Sequence, residues 1–249
     1  MTRSRILITG ASSGLGAGMA RAFAARGRGL ALCARRRELL EQLRAELTSA
    51  HPEITVAVRA LDVDDHAAVP RVFTELRDEL GGLDRVIVNA GIGKGTPLGT
   101  GRARANLATA TTNFVSALAQ AEAAMEIFRE QRDGHLVLVS SMSAVRGLPG
   151  SKAAYSASKA GLATLGDALA AELVHSPIAV TTLLPGFIAT DMSATAGDAR
   201  MVAPLDKGVA AMVTAIEKEK PRACVPVVPW RLLAPVLPRL PRSVVARLG

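Results

Sequence analysis

Short, almost continuously apolar runs alternate with longer segments rich in Ala, Leu, Glu and Arg along nearly the whole chain, and that alternation leaves few folds open. Strands are expected at 5–9, 29–34, 54–61, 84–89, 135–140, 178–184 and 222–228, with helices near 15–27, 36–49, 65–80, 103–131, 154–175 and 205–219. A strand reads as an unbroken apolar run when helices cover both faces of its sheet, which is the condition of a parallel sheet. Strict strand–helix alternation with right-handed crossovers predicts an α/β, doubly wound (Rossmann-like) parallel sheet of about seven strands. No Pro-, Gly- or Ser-rich linker divides residues 1–249, so one domain is expected, with a proline-punctuated tail after residue 229.

Composition narrows the classes. Hydrophobic residues are 49% of the chain and charged residues 21%, which excludes intrinsic disorder. Aromatics are 3%, with one tryptophan (Trp230) and one tyrosine (Tyr155), so the core must be aliphatic. Two cysteines, Cys33 and Cys224, form neither a disulfide framework nor a four-ligand zinc site. His51, His66, His135 and His175 lack ligand spacing, so no metal site is expected, and each is expected at the surface or a helix end. The apolar stretch after Arg5 is too short for a signal peptide, and no run is long enough to span a bilayer. Together these suggest a cytoplasmic setting.

Charge is unevenly placed. The first 37 residues hold eight arginines and no acid, whereas the remainder balances. This points to an anionic ligand near the N-terminal unit rather than to a nucleic-acid surface. Arg3, Arg21 and Arg26 are expected simply to be solvated.

The first strand runs into TGASSGLGAG and then an Ala-rich helix. Gly10, Gly14 and Gly16 let the backbone turn tightly beside a diphosphate, and the helix N-terminus supplies N–H donors; an ordinary turn is the alternative. The second strand ends in Ala34-Arg35-Arg36-Arg37, with no acid before Glu38. An acid there would hold a ribose 2′-hydroxyl, whereas guanidinium forks match a 2′-phosphate. Arg35 and Arg36 are therefore candidates for NADP(H) selection, and Arg37 is placed on the outer face of the next helix.

The only tyrosine sits in YSASK. Tyr155 and Lys159 are four apart and share a helix face. An adjacent ammonium would bring a phenol, with a pKa of about 10 when unperturbed, toward working range. Ser140, Ser141 and Ser143 follow a strand at the carboxyl edge of the sheet, where open α/β folds bind ligands. One of them could donate to a carbonyl oxygen; the others would cap the strand end.

With TGASSGLG, VNAG at 88–91, Asn113, the serine pair at 140–141, YSASK at 155–159 and PGFIAT at 185–190, the chain resembles the short-chain dehydrogenase/reductases in order from residue 5 to about 191. That resemblance implies roles. Tyr155 would be the acid/base, Lys159 would lower its pKa and hold the nicotinamide ribose, and Ser141 would polarise the carbonyl, with Ser143 flanking the pocket. Asn113 would anchor the water of a proton relay. Ser12, Ser13 and Leu15 of the glycine motif would join Gly10, Gly14 and Gly16 at the cofactor. Asp62 and Val63 would sit by the adenine, Asn89, Ala90 and Gly91 by its ribose, and Pro185, Gly186, Ile188 and Thr190 by the nicotinamide. Val88 stands where the family often has a first asparagine, and the stretch from Ser141 to Tyr155 is one residue longer than the family spacing, so a bulged loop is expected.

The implied reaction is hydride transfer between NADP(H) and a carbonyl or alcohol. Few aromatics make ring stacking on a sugar or base improbable, and a small-molecule hydrophobic ketone, aldehyde or acyl-chain carbonyl is favoured. Loops 91–102 and 189–204 would shape the pocket, the second with Met192 as a substrate contact and lid. The tail 230–249 carries four arginines and no acid among leucines and valines. It would pack on the domain's substrate loops or lie on an anionic membrane. Competing readings are a 3-oxoacyl thioester reductase acting on an acidic carrier protein, suggested by the N-terminal arginines, and a non-catalytic NADP(H)-sensing protein. The family likeness of helices 103–131 and 154–175 suggests a homodimer or homotetramer.

Overall fold

The computed structural model describes residues 3–190 and 202–248. Seven parallel strands form one sheet in the order β3-β2-β1-β4-β5-β6-β7: β1 Arg5–Thr9, β2 Gly29–Ala34, β3 Val56–Ala60, β4 Arg85–Val88, β5 Gly134–Val139, β6 Ile178–Pro185 and β7 Arg222–Val225. The chain winds outward from β1 to β3, returns to β4, and then winds the other way. The order therefore reverses between β1 and β4, and a crevice opens beyond their carboxyl ends.

Helices cover both faces: α1 Gly14–Ala24, α2 Arg37–Ala50, α3 Ala68–Leu80, α4 Ala103–Ala110, α5 Ser116–Gln131, α6 Ala153–Glu172 and α7 Leu205–Glu217. The period of two along β1 separates two aliphatic cores. Ile6 and Ile8 pack with Met19, Phe23, Met212 and Val213, whereas Leu7 faces the layer of Phe73, Leu76 and Phe128. Helix α2 buries Leu40, Leu43 and Leu47, one stripe at helical spacing, and leaves its other side to charge.

Local chemistry trims several expected elements. The strand expected at 222–228 stops at Val225, because Pro226 has no N–H for the ladder, and α8 (Val227–Leu233) follows. The long helix expected over 103–131 is interrupted at Thr111–Val115 by a π-turn that carries Asn113. The extra residue before Tyr155 is absorbed by two 3₁₀ turns, Met142–Ala144 and Gly150–Lys152. After α8 the tail makes a 3₁₀ turn, Leu237–Arg239, then a short helix, α9 Arg242–Val245, and a further 3₁₀ turn, Ala246–Leu248.

Four of the eight N-terminal arginines pair with acids beyond residue 45. Arg3 pairs with Asp133 and Glu219, Arg5 with Asp84, Arg21 with Glu46 and Arg28 with Glu217. Arg3, expected to be solvated, is buried, and Arg21 is ion-paired. His135 also departs from expectation, because it lies in β5 and has no exposed surface. Arg85 Nε donates to its Nδ1 at 2.8 Å, and its Nε2 stands 2.8 Å from Thr181 Oγ1. Burial, then the nearby Arg85 and Arg3 cations, holds this imidazole neutral well below the ordinary histidine range.

Candidate active site

A cleft of about 570 Å³ opens at the carboxyl edge of the sheet, across the point where strand order reverses. At one end lies the turn from β1 to α1. A Cβ on Gly16 would sit 2.3 Å from the Gly10 carbonyl oxygen, and one on Gly10 would sit 2.9 Å from Ala90 Cα, so both positions exclude any side chain. Gly16 thus serves the packing of the turn and does not line the cleft, whereas Gly10, Ser12, Ser13, Gly14 and Leu15 do. No acidic residue stands in the first turn of α1, and the Ser13 side chain does not cap it. The N–H donors of that turn face the cleft without a protein carboxylate to claim them.

Arg35 and Arg36 line the same end. Arg36 Nη2 donates to Ser12 Oγ at 3.0 Å and Ser13 Oγ at 2.7 Å, which sets its guanidinium over the glycine turn. Arg35 is exposed and forms no ion pair among the described residues. Arg37 points outward and pairs with Glu41. Unclaimed N–H groups, a surface without Cβ atoms and two guanidinium groups make a donor set that fits the phosphates of a dinucleotide.

Asp62, Val63, Asn89, Ala90 and Gly91 form the middle of the cleft. Asn89 Nδ2 donates to the Thr9 carbonyl at 2.9 Å, and the N–H groups of Asn89 and Ala90 both donate to Thr9 Oγ1, tying the ends of β1 and β4 together. Asn113 is fully buried and does not line the cleft. Its Nδ2 donates to the Ile92 carbonyl and its Oδ1 accepts from the Ile92 N–H, both at 2.8 Å, so the side chain holds the loop after Gly91 in place. The π-turn is itself pinned by Asp64, which sequence reasoning passed over. Thr112 Oγ1 donates to Asp64 Oδ2 at 2.8 Å and Ser116 Oγ donates to Asp64 Oδ1 at 2.7 Å. The available signal was a second carboxylate two positions beyond Asp62.

The far end holds Ser141, Ser143, Tyr155 and Lys159, with Pro185, Gly186, Ile188 and Thr190 opposite. The structure separates the three serines. Ser140 is buried, and its Oγ donates to the Lys159 carbonyl at 2.7 Å. Ser141 Oγ accepts from the Ser143 N–H at 3.2 Å and the Ser143 hydroxyl at 3.0 Å, leaving its own proton for the Tyr155 hydroxyl. Met192 and most of the expected lid at 189–204 lie outside the described residues.

The electrostatics differ from the expected acidified phenol. Burial raises the Tyr155 phenol above its ordinary value, and the Ser141 hydrogen bond opposes that rise without cancelling it. Lys159 Nζ turns to the Val139 carbonyl, donating at 2.8 Å, and lies 6.0 Å from the Tyr155 ring centroid. Its own pKa is pushed down to about 8 by burial. The unfolded chain binds more protons at this site between about 8 and the ordinary 10.5, so stability rises with pH there. Relative to Lys159→Met, the wild-type protein should gain up to about 3 kcal/mol across that window, read by denaturant unfolding at each end of it. A constant difference between the two proteins would contradict the buried ammonium.

Ile92, from the 91–102 loop expected to shape the pocket, joins Leu148 and Phe187 in an apolar wall at the far end, with Ser151 and Lys152 at its margin. Trp230 packs edge-on against Phe187, ring centroids 5.6 Å apart.

A family model described as short chain dehydrogenase matches residues 4–201, nearly the whole stretch that builds the sheet and cleft. The chain belongs to the short-chain dehydrogenase family. An uncharacterised oxidoreductase of Mycobacterium tuberculosis is 56% identical over 246 residues, covering 97% of each chain. Another, from Myxococcus xanthus, is 40% identical over 198 residues, covering 78% of this chain and 76% of the relative. Among solved structures, levodione reductase superposes with a TM-score of 0.78 at 27% identity, covering 87% of this chain and 91% of the other. The NADPH-dependent 3-quinuclidinone reductase of Rhodotorula rubra also gives 0.78, at 26% identity and coverage of 87% and 85%. As in other short-chain dehydrogenases, the seven-stranded doubly wound sheet is the frame of an oxidoreductase.

Proposed function

We propose that this short-chain dehydrogenase is an NADP(H)-dependent reductase of a hydrophobic carbonyl compound, with Tyr155 as its proton donor. The observation that carries the reading is the Tyr155 hydroxyl hydrogen-bonded to Ser141 and close to Lys159, in a cleft that Arg35 lines and where Arg36 is held over the glycine turn. When bound, the dinucleotide supplies or takes up the hydride. The α1 N-terminus would hold its diphosphate, Arg35 and Arg36 its 2′-phosphate, Asp62 and Val63 its adenine, and Lys159, Ile188 and Thr190 its nicotinamide end.

In the reductive direction Ser141 donates its hydroxyl proton in a hydrogen bond to the carbonyl oxygen, and Tyr155 transfers its proton to that oxygen as negative charge builds on it. A protonated phenol is the form that reduction consumes, and a phenol is protonated at neutral pH with or without the rise. The apolar wall of Ile92, Leu148 and Phe187 favours a hydrophobic substrate. The carrier-protein reading loses its motive, since Arg3, Arg5, Arg21 and Arg28 are already paired within the molecule. A purely cofactor-sensing protein has no use for the Ser141–Tyr155 pair. A homodimer or homotetramer remains part of this proposal, supported by exposed Leu107 and Val115 beside α5.

Following NADPH and NADH absorbance with a panel of apolar ketones and aldehydes tests the reading. NADPH oxidation is expected, and Arg36→Ala should weaken NADPH by about tenfold or more while leaving NADH unchanged. No turnover with either dinucleotide across the panel would overturn the activity, and equal losses for both would overturn the role of Arg36.

A further inference from the structure

The tail packs one face and leaves another bare. Trp230, Leu233, Ala234 and Leu237 recur at spacings of three and four and turn inward onto Met142, Leu184 and Phe187. The same helical spacing sends Leu232 and Val236 outward, 69% and 48% exposed. With Val227, Val228 and Val244, this stretch holds five of the nine large apolar side chains that stand exposed among the described residues.

Arginines 231, 239, 242 and 247 stand among them, and residues 220–249 contain no aspartate or glutamate. The guanidinium groups of Arg231, Arg242 and Arg247 make no ion pair or hydrogen bond among the described residues. The tail is nevertheless anchored, because Arg146 donates to the carbonyls of Pro238 and Leu240. It also runs beside the substrate end of the cleft: Phe187, which Trp230 packs against, lines the cleft, and Leu148 lines both the cleft and the depression closed by Arg242 and Val245.

We infer that this face docks on an anionic lipid bilayer, guanidinium groups among headgroup phosphates and the exposed leucine and valines in the acyl boundary. Charge decides the occupant. A two-fold contact with a second copy would set these arginines against one another, with no acid in the segment to meet them. An anionic bilayer supplies both the missing negative charge and an apolar phase. One extension rests on the reductase reading: the carbonyl substrate is then a membrane-dissolved one, delivered at the adjoining mouth of the cleft.

The test mixes the full chain with vesicles of phosphatidylcholine plus phosphatidylglycerol, and with phosphatidylcholine alone. The protein should sediment with the mixed vesicles only and be released by salt. Arg231→Gln, Arg242→Gln and Arg247→Gln together should lower partitioning roughly 100-fold, at about fivefold per arginine. Leu232→Ser with Val236→Ser should abolish it. Both variants change exposed positions, so turnover of a water-soluble ketone should persist while turnover of a vesicle-borne long-chain ketone falls. Wild-type protein left in the supernatant, equal binding to neutral vesicles, or variants that sediment like wild type would each overturn the inference. So would variants that change the solution oligomer but not vesicle binding, which would assign the face to a second copy. Vesicle binding without turnover of any ketone would remove the reductase reading and leave the docking face standing.

Discussion

Tyr155→Phe is expected to bind NADPH as the wild type does and to lose about 10²–10⁴-fold in turnover, the range that a positioned proton donor supplies. The substitution removes one hydroxyl and keeps the ring, so the wall of the cleft and the packing of α6 survive. What disappears is the proton held beside the Ser141 hydroxyl. Fluorescence titration with NADPH and single-turnover oxidation of the bound dinucleotide separate the two effects. Wild-type turnover in this variant would end the assignment, and lost dinucleotide binding would show that the ring itself, rather than its proton, matters.

Ser141→Ala is the second large effect, about 10²–10³-fold in turnover with KM little changed, as for loss of one donor at a developing oxyanion. Its neighbours provide the controls. Ser143 lines the cleft but spends its hydroxyl proton on Ser141 Oγ, so Ser143→Ala should be milder. Ser140 is committed to the Lys159 carbonyl, so Ser140→Ala should cost about 1 kcal/mol of stability and spare turnover. Equal kinetic losses at all three positions would mean that the loop, rather than one hydroxyl, was disturbed.

Much of this arrangement was legible in the chain. Glycines at 10 and 16 announced a turn in which backbone meets backbone, because no other residue leaves room for the Gly10 carbonyl or for Ala90. The place of Arg35 and Arg36 at the cleft was legible too, since they follow β2, the strand paired with β1. The phenol's environment was not. Spacing put Lys159 on the face of Tyr155, yet Nζ found the Val139 carbonyl, an acceptor supplied by a strand twenty residues earlier. The pairing of Arg3 and Arg28 was hidden for a similar reason, because Glu219 and Glu217 lie at or just past the end of α7. His135 was misplaced because a lone polar residue in a strand carries no sign that a buried arginine awaits it on the neighbouring strand.

By itself the sequence determined the elements, their parallel arrangement and the position of the cleft. Those follow from periodicity, glycine sterics and crossover handedness, all of which act over a few residues or through chain connectivity. Tertiary structure alone decided which serine faces the phenol, which charges are cancelled, that the phenol's pKa rises rather than falls, and which side of the tail stays bare. Each of these depends on burial and on partners distant in the chain, and desolvation and hydrogen bonding are properties of a site in space rather than of a residue in order.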